Sequence, residues 1–179
     1  ATILAIEDVP DDQGGWVRLR IRRSGYDPSA LGSTLLGYNV LRRVDAAAAA
    51  DARPVDGAPR LADGSTVFAT DGLVECDGRL FVDPGTSLAR EVPPGTWEIV
   101  TSFFGSGQDE YVVLAPTATD ATPTEFYVST HLLGGVVYES DASSGTSTDD
   151  IAPGVPSSLV VDYGSSGNDL SWDPSADDD

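Results

Sequence analysis

Residues 151–179, IAPGVPSSLVVDYGSSGNDLSWDPSADDD, open like a domain and then stop after two short runs. Ala152-Pro153 and Val155-Pro156 make a stiff connector, because each proline fixes its own φ and drives the residue before it to extended geometry. Ser158–Tyr163 is a short β-rich run. Gly164–Gly167 is a turn cluster, and Asn168–Trp172 a second run with one large aromatic. Two strands cannot bury an apolar face unaided. Leu159, Val161, Leu170 and Trp172 therefore require partner strands from elsewhere.

Upstream, the same opening occurs once already. Thr2–Glu7 predicts a strand with Ile3 or Leu4 and Ile6 available for a core, and Asp8–Gly15 a turn. In Trp16–Arg23, Val17, Leu19 and Ile21 alternate with Arg18, Arg20 and Arg22, and a period of two puts the apolar set on one sheet face and the arginines on the other. Leu19-Arg20-Ile21 occupies the place that Leu170-Ser171-Trp172 holds in the later stretch, so the chain begins the same module twice.

The pattern A-P-x-x-P from Ala152, then L-x-V from Leu159, a turn, and L-S-W-D-P-S-x-D from Leu170 resembles the opening of a fibronectin type III module. In that family the first two strands lead with such prolines, and a strand-B Trp, here Trp172, packs in the core. Leu35–Arg43, LLGYNVLRR, resembles strand C of the same family, with Tyr38 and Val40 inward. The run S-G-x-S-x-D-x-x-A-P-x-x-P from Ser144 to Pro156 resembles junctions between tandem modules of large secreted bacterial proteins. The resemblance implies an all-β, antiparallel, fibronectin type III-like β-sandwich, an extracellular or cell-surface location and no catalytic residues.

On this basis residues 1–140 form one sandwich, 141–157 a Ser/Thr/Asp/Pro linker, and 158–179 the first two strands of a second module. Val44–Pro94 is too long for an ordinary connection and too small for a core of its own. It reads as an insert: Ala46–Ala50 makes a helical turn, and Thr66–Thr70 with Arg79–Val82 a hairpin around Asp71–Gly78. Thr96–Phe104 and Glu110–Pro116 form the next hairpin, with Trp97 and Ile99 on one face. Thr124–His131 and Gly135–Ser140 supply the last two strands, with Phe126, Val128, Val137 and Tyr138 as core candidates.

Composition narrows the function. The 179 residues carry a formal net charge of −19, with all ten basic side chains Arg and no Lys. Such acidity disfavours nucleic acid and anionic membrane surfaces, since phosphate is repelled, and the absence of Lys excludes a Lys–Asn crosslink. Cys76 stands alone, so no intrachain disulfide forms. No apolar run approaches a membrane span and Ala1 opens no signal peptide, so a secreted form is a processed or excerpted chain.

Chemistry is sparse. A Ser-His-Asp arrangement has only His131 to use and no G-x-S-x-G elbow. No phosphate loop occurs, and one His with one Cys does not make an ordinary zinc site. No cofactor is expected. Calcium is the better option: Asp149 and Asp150 at the junction, with Asp177 and Asp178 in the tail, are hard oxygen ligands, although none sits in a D-x-D-x-D-G loop. The ladder Arg18, Arg20, Arg22 is either a solvated polar face or a surface for an acidic partner, the nearest being the Asp-rich tail of another copy. The leading expectation is a structural, non-enzymatic protein that joins copies of itself, or adjacent modules, through Leu159, Val161, Leu170 and Trp172, by strand donation into a filament. The alternative is an accessory module that binds polysaccharide or a surface ligand, with Trp16 and Trp97 as stacking platforms.

Overall fold

The computed structural model describes residues 1–27, 34–68, 72–82, 92–118, 122–152 and 154–175. Among these the strands are β1 (Thr2–Asp8), β2 (Trp16–Arg22), β3 (Leu35–Val44), β4 (Arg53–Pro54), β5 (Leu73–Cys76), β6 (Arg79–Val82), β7 (Thr96–Phe103), β8 (Glu110–Pro116), β9 (Thr124–Leu132), β10 (Val137–Glu139), β11 (Ser143–Gly145), β12 (Ser157–Gly164) and β13 (Gly167–Asp173). A 3-10 turn, Ala46–Ala49, is capped by the Asp45 side chain. The fold is all-β and antiparallel throughout. Two compact units divide it, Ala1–Asp149 and Asp150–Asp179.

The first unit is sandwich-like. One sheet has the order β1-β2-β8, and the other β10-β9-β3-β7-β6-β5-β4, with β11 also on β9. The alternation of β2 works as expected: Val17, Leu19 and Ile21 are fully buried. They meet Tyr38 and Val40 of β3, Phe126 and Val128 of β9, and Tyr111 and Ala115 of β8, while Ile3 and Ile6 of β1 pack at the margin.

A second core lies on the opposite face of the large sheet. Leu41, Trp97, Ile99, Tyr127, Leu80 and Val82 gather there with Val67, flanked by Val55, Leu61, Leu73 and Val92. The strands β3 and β9 therefore alternate between two dry faces: Val40 and Val128 enter the first core, Leu41 and Tyr127 the second. Each such large apolar side chain, fully buried, contributes about 1.5–3 kcal/mol.

The insert builds this cover. Its hairpin is β5–β6, closed by the two-residue turn Asp77-Gly78, both with positive φ (51° and 74°), as a type I′ turn needs. Thr66 makes only an isolated bridge to Arg60, so Thr66–Thr70 is not the partner of Arg79–Val82; Ala69 and Thr70 lie outside the described residues. β6 pairs with β7, which makes the insert a lateral continuation of the large sheet rather than an appendage.

A second expectation also changes. β7 and β8 do not form a hairpin: β7 pairs with β3 and β6, β8 with β2. The Gly105–Asp109 loop carries the chain from one sheet to the other. Tyr138 lies outside the core, 46% exposed and stacked on Tyr26. The segment read as the start of the linker is partly structured. β11 pairs with Thr124–Phe126 of β9, and Ser147 is fully buried between Gly15 N–H and the Thr117 hydroxyl.

The second unit holds a two-stranded sheet. β12 and β13 pair from Gly164↔Gly167 down to Ser157↔Asp173, with a bulge between Ser157 and Val160.

Candidate functional site

The hairpin β12–β13 sorts its side chains cleanly. Val161 lies opposite Leu170 and Tyr163 opposite Asn168, so alternation puts Leu159, Val161, Tyr163, Leu170 and Trp172 on one face. The other face carries Val160, Asp162, Asp169, Ser171 and Asp173, with Asp162 directly opposite Asp169. Leu159 is 64% exposed, Leu170 57% and Trp172 57%; Val161 is half-buried. The expected residues share one apolar face, and Tyr163, at 83% exposed, joins them.

The outer face of the β1-β2-β8 sheet carries the arginine ladder. Arg18 faces Glu7 on one side and Leu114 on the other, Arg20 faces Val112, and Arg22 faces Glu110. Arg20 pairs with Glu110 at 3.0 Å, and that hydrogen bond and charge hold its guanidinium above the usual range. Among the described residues Arg18 and Arg22 make no ion pair. Val112, Leu114 and Trp16 lie exposed on the same sheet.

Three polar clusters are internal, and sequence patterning pointed to none of them. Asp27 is 2% exposed and accepts from the hydroxyls of Tyr38 (3.0 Å) and Tyr111, and from Gly107 N–H (2.9 Å). Both phenols accept in turn from backbone, Tyr38 from Ser24 N–H and Tyr111 from Ser106 N–H. Burial, with the adjacent Asp27, pushes the Tyr38 phenol well above its ordinary value. Gly105 sits so close that a Cβ there would approach the Asp27 carboxylate at 3.0 Å and Leu35 at 2.2 Å.

Glu98, 6% exposed, is gripped by Arg42 (2.9 Å) and Arg79 (2.6 and 2.8 Å). Burial alone would raise its pKa, but the hydrogen bonds and charges of the two arginines outweigh burial and leave the carboxyl below its usual range. Arg42 also donates to the Thr117 carbonyl at 2.5 Å, tying β3 to the end of β8.

The third cluster contains His131. Asn39, fully buried, holds Phe68 by its backbone: Phe68 N–H donates to Oδ1 (3.2 Å) and Nδ2 donates to Phe68 O (2.9 Å). This fixes the amide, so the remaining Nδ2 hydrogen points at His131 Nε2, 3.0 Å away, and that nitrogen accepts. Ser129 Oγ lies 2.8 Å from the same nitrogen. A Ser–His contact is thus present, but both side chains are 2% exposed and the Phe68 ring packs on the imidazole. The arrangement docks the insert onto the sheet.

Asp149 forms an isolated bridge with Gln13, and Asp149 and Asp150 are exposed. Asp177 and Asp178 lie outside the described residues. Among the described residues no group of three or more His, Cys, Asp or Glu side chains is placed to hold a metal ion. Trp97 is 1% exposed, edge-on to Tyr127, with its indole N–H on Pro93 O at 2.7 Å, so it offers no surface platform; Trp16 is 47% exposed. Cys76 is a free, half-buried thiol on β5. No helix among the described residues is long and apolar enough to cross a membrane.

Compared with family models, with curated proteins and with solved structures, the chain matches none.

Proposed function

We propose that this chain is a structural building block of a secreted or cell-surface assembly. In this reading its first unit is a fibronectin type III-like sandwich with a sheet-extending insert, and β12–β13 are the opening strands of a second sandwich. The observation that carries it is the single-sided apolar face of Leu159, Val161, Leu170 and Trp172 on a two-stranded sheet, too small to bury that face by itself. Strand order supports the fold assignment. With β1, β2 and β8 read as A, B and E on one sheet, and β3, β9 and β10 as C, F and G on the other, the order is compatible with an immunoglobulin-like sandwich. An extracellular site rests on the likeness of the Ser144–Pro156 junction to those of secreted tandem modules.

Strands from a neighbouring copy complete the hairpin by main-chain pairing, and head-to-tail repetition of that step gives a filament. The test compares the whole chain with a Leu170→Asp/Trp172→Asp variant by light scattering and negative-stain microscopy. Concentration-dependent multimers that vanish in the variant are expected. A chain that stays monomeric, or multimers that survive in the variant or after deletion of Val155–Asp179, would refute strand donation.

A second reading, a glycan-binding accessory module, is favoured by one observation. Tyr26 and Tyr138 stack at 5.3 Å and 9° between planes with about half of each ring exposed, a surface of the kind sugars stack on. Glycan-array signal lost on Tyr26→Ala/Tyr138→Ala supports it; no signal on any glycan with the wild type removes it.

A further inference from the structure

We infer that the arginine ladder on β2 is the docking face for the acidic face of β12–β13 from a second copy of the chain. This rests on the structural reading above and adds to it a second, electrostatic contact between copies, on the opposite side of the hairpin from its apolar face.

The charge is divided between the units. Residues 150–179 contain seven aspartates and no basic residue, a formal charge of −7, so all ten arginines belong to the first unit. Within that unit Arg42, Arg43 and Arg79 are engaged by Glu98 and Glu125. On the outer face of β1-β2-β8, three arginines stand against two carboxylates, Glu7 and Glu110. That face is net positive on a strongly negative molecule.

The hairpin carries like charge directly across its strands when alone. Asp162 sits directly across from Asp169, an arrangement that destabilises a strand pair. Arg18, Arg20 and Arg22 repeat every second residue along one strand, and Arg18 and Arg22 make no ion pair among the described residues. Bringing the two together relieves the repulsion between the aspartates and gives Arg18 and Arg22 acidic partners. The spacings agree: Arg18 and Arg22 are four residues apart on β2, Asp169 and Asp173 four apart on β13, so each span is about 13 Å. Apolar flanks agree too. Val112 and Leu114 stand beside the ladder, 62% and 51% exposed, and Val160, 50% exposed, stands on the acidic hairpin face.

Ionic strength gives the contact a distinctive signature. At about 0.01 M salt, screening extends roughly 30 Å, and two molecules of charge −19 repel as wholes. At about 0.15 M the screening length is roughly 8 Å, which hides the net charges from each other but leaves close Arg–Asp contacts intact; at about 1 M those weaken as well. Association should therefore peak at intermediate salt.

The experiment is a charge swap in the full chain. Arg18→Glu/Arg22→Glu and Asp169→Arg/Asp173→Arg are made separately, with Arg20 and Glu110 themselves retained, and folding is checked by circular dichroism. Each variant alone should associate at least about tenfold more weakly than wild type in sedimentation, the two arms of one electrostatic complementarity. An equimolar mixture of the two should regain association, since each supplies what the other lacks. The proposal is overturned if the mixture behaves as the sum of its parts, or if association falls steadily with salt from the lowest concentration. It is overturned equally if Arg18→Glu/Arg22→Glu associates like wild type while Leu170→Asp/Trp172→Asp does not; that outcome leaves strand donation standing and removes only the ladder from it.

Discussion

Replacing Asp27 by alanine removes one carboxylate and strands three donors. The Tyr38 and Tyr111 hydroxyls cannot turn elsewhere without breaking the bonds they accept from Ser24 and Ser106, and Gly107 N–H is fixed by its loop. A buried donor left unsatisfied costs about 1–3 kcal/mol. Neighbours in one network do not add in full, so the expected loss is about 3–5 kcal/mol. For a unit of this size that corresponds to roughly 6–20 °C in Tm. Asp27→Asn should cost less, about 2 kcal/mol, because one oxygen survives while the amide meets a donor. The assay is urea unfolding of the full chain followed through buried Trp97, with Trp16 and Trp172 replaced by Phe in every variant. A double-mutant cycle with Tyr38→Phe should show a coupling of at least about 1 kcal/mol. A loss below about 1 kcal/mol for Asp27→Ala, or no coupling to Tyr38, would refute the view that this carboxylate fastens β3, β8 and two loops together.

Further outcomes follow from the other clusters. Glu98→Gln should destabilise the first unit by about 3 kcal/mol at pH 7, since it leaves Arg42 and Arg79 without their charge partner. Because the Glu98 carboxyl is held below its ordinary value, its contribution is present above the unfolded-state pKa of about 4.3 and is lost as pH falls through the lowered folded value. The gap between wild type and Glu98→Gln should close on acidification, and a gap constant from about pH 7 to about pH 2 contradicts the assignment. Gly37→Ala places a Cβ 2.2 Å from the Phe68 ring and 2.6 Å from Phe103 O. It should cost about 1–3 kcal/mol and raise protease cleavage within residues 46–68, read by mass spectrometry. Trp97→Ala should cost about 3–5 kcal/mol, whereas Trp16→Ser, at an exposed position, should stay within about 0.5 kcal/mol.

Local pattern carried the strands and failed at their partners. β2 was legible because apolar and basic residues alternate from Val17 to Arg22; β3 and β9 mix apolar with polar residues, so their extent could be read but not their burial on both sides. The terminal hairpin was legible from its Gly-bounded turn. The link from β7 to β8 was not, because Gly105–Asp109 is as good a hairpin loop as it is a crossing between sheets, and only distant partners decide. The insert holds four Asp-Gly pairs, at 56–57, 63–64, 71–72 and 77–78; Asp77-Gly78 closes the β5–β6 hairpin, which brings Leu73 opposite Val82 in the second core. Asp27, Glu98 and Asn39 were invisible because an isolated polar residue in a polar or mixed stretch gives no sign of burial. Of the two candidate surfaces, the Arg ladder and the apolar hairpin face were both readable. The opposed aspartates Asp162 and Asp169 were not, since they depend on register.

Because the insert clads the far side of the large sheet, it cannot be pruned as a decoration. A shortened gene splicing Val44 straight to Thr96 would bare Leu41, Ile99 and Tyr127 to water and turn β7 into a naked margin. Such a minimal version should come out as inclusion bodies rather than as a smaller module. The same layering leaves β3 and β9 with almost no wet side, so tags, dyes or grafted epitopes belong on turns such as the exposed residues 133–136.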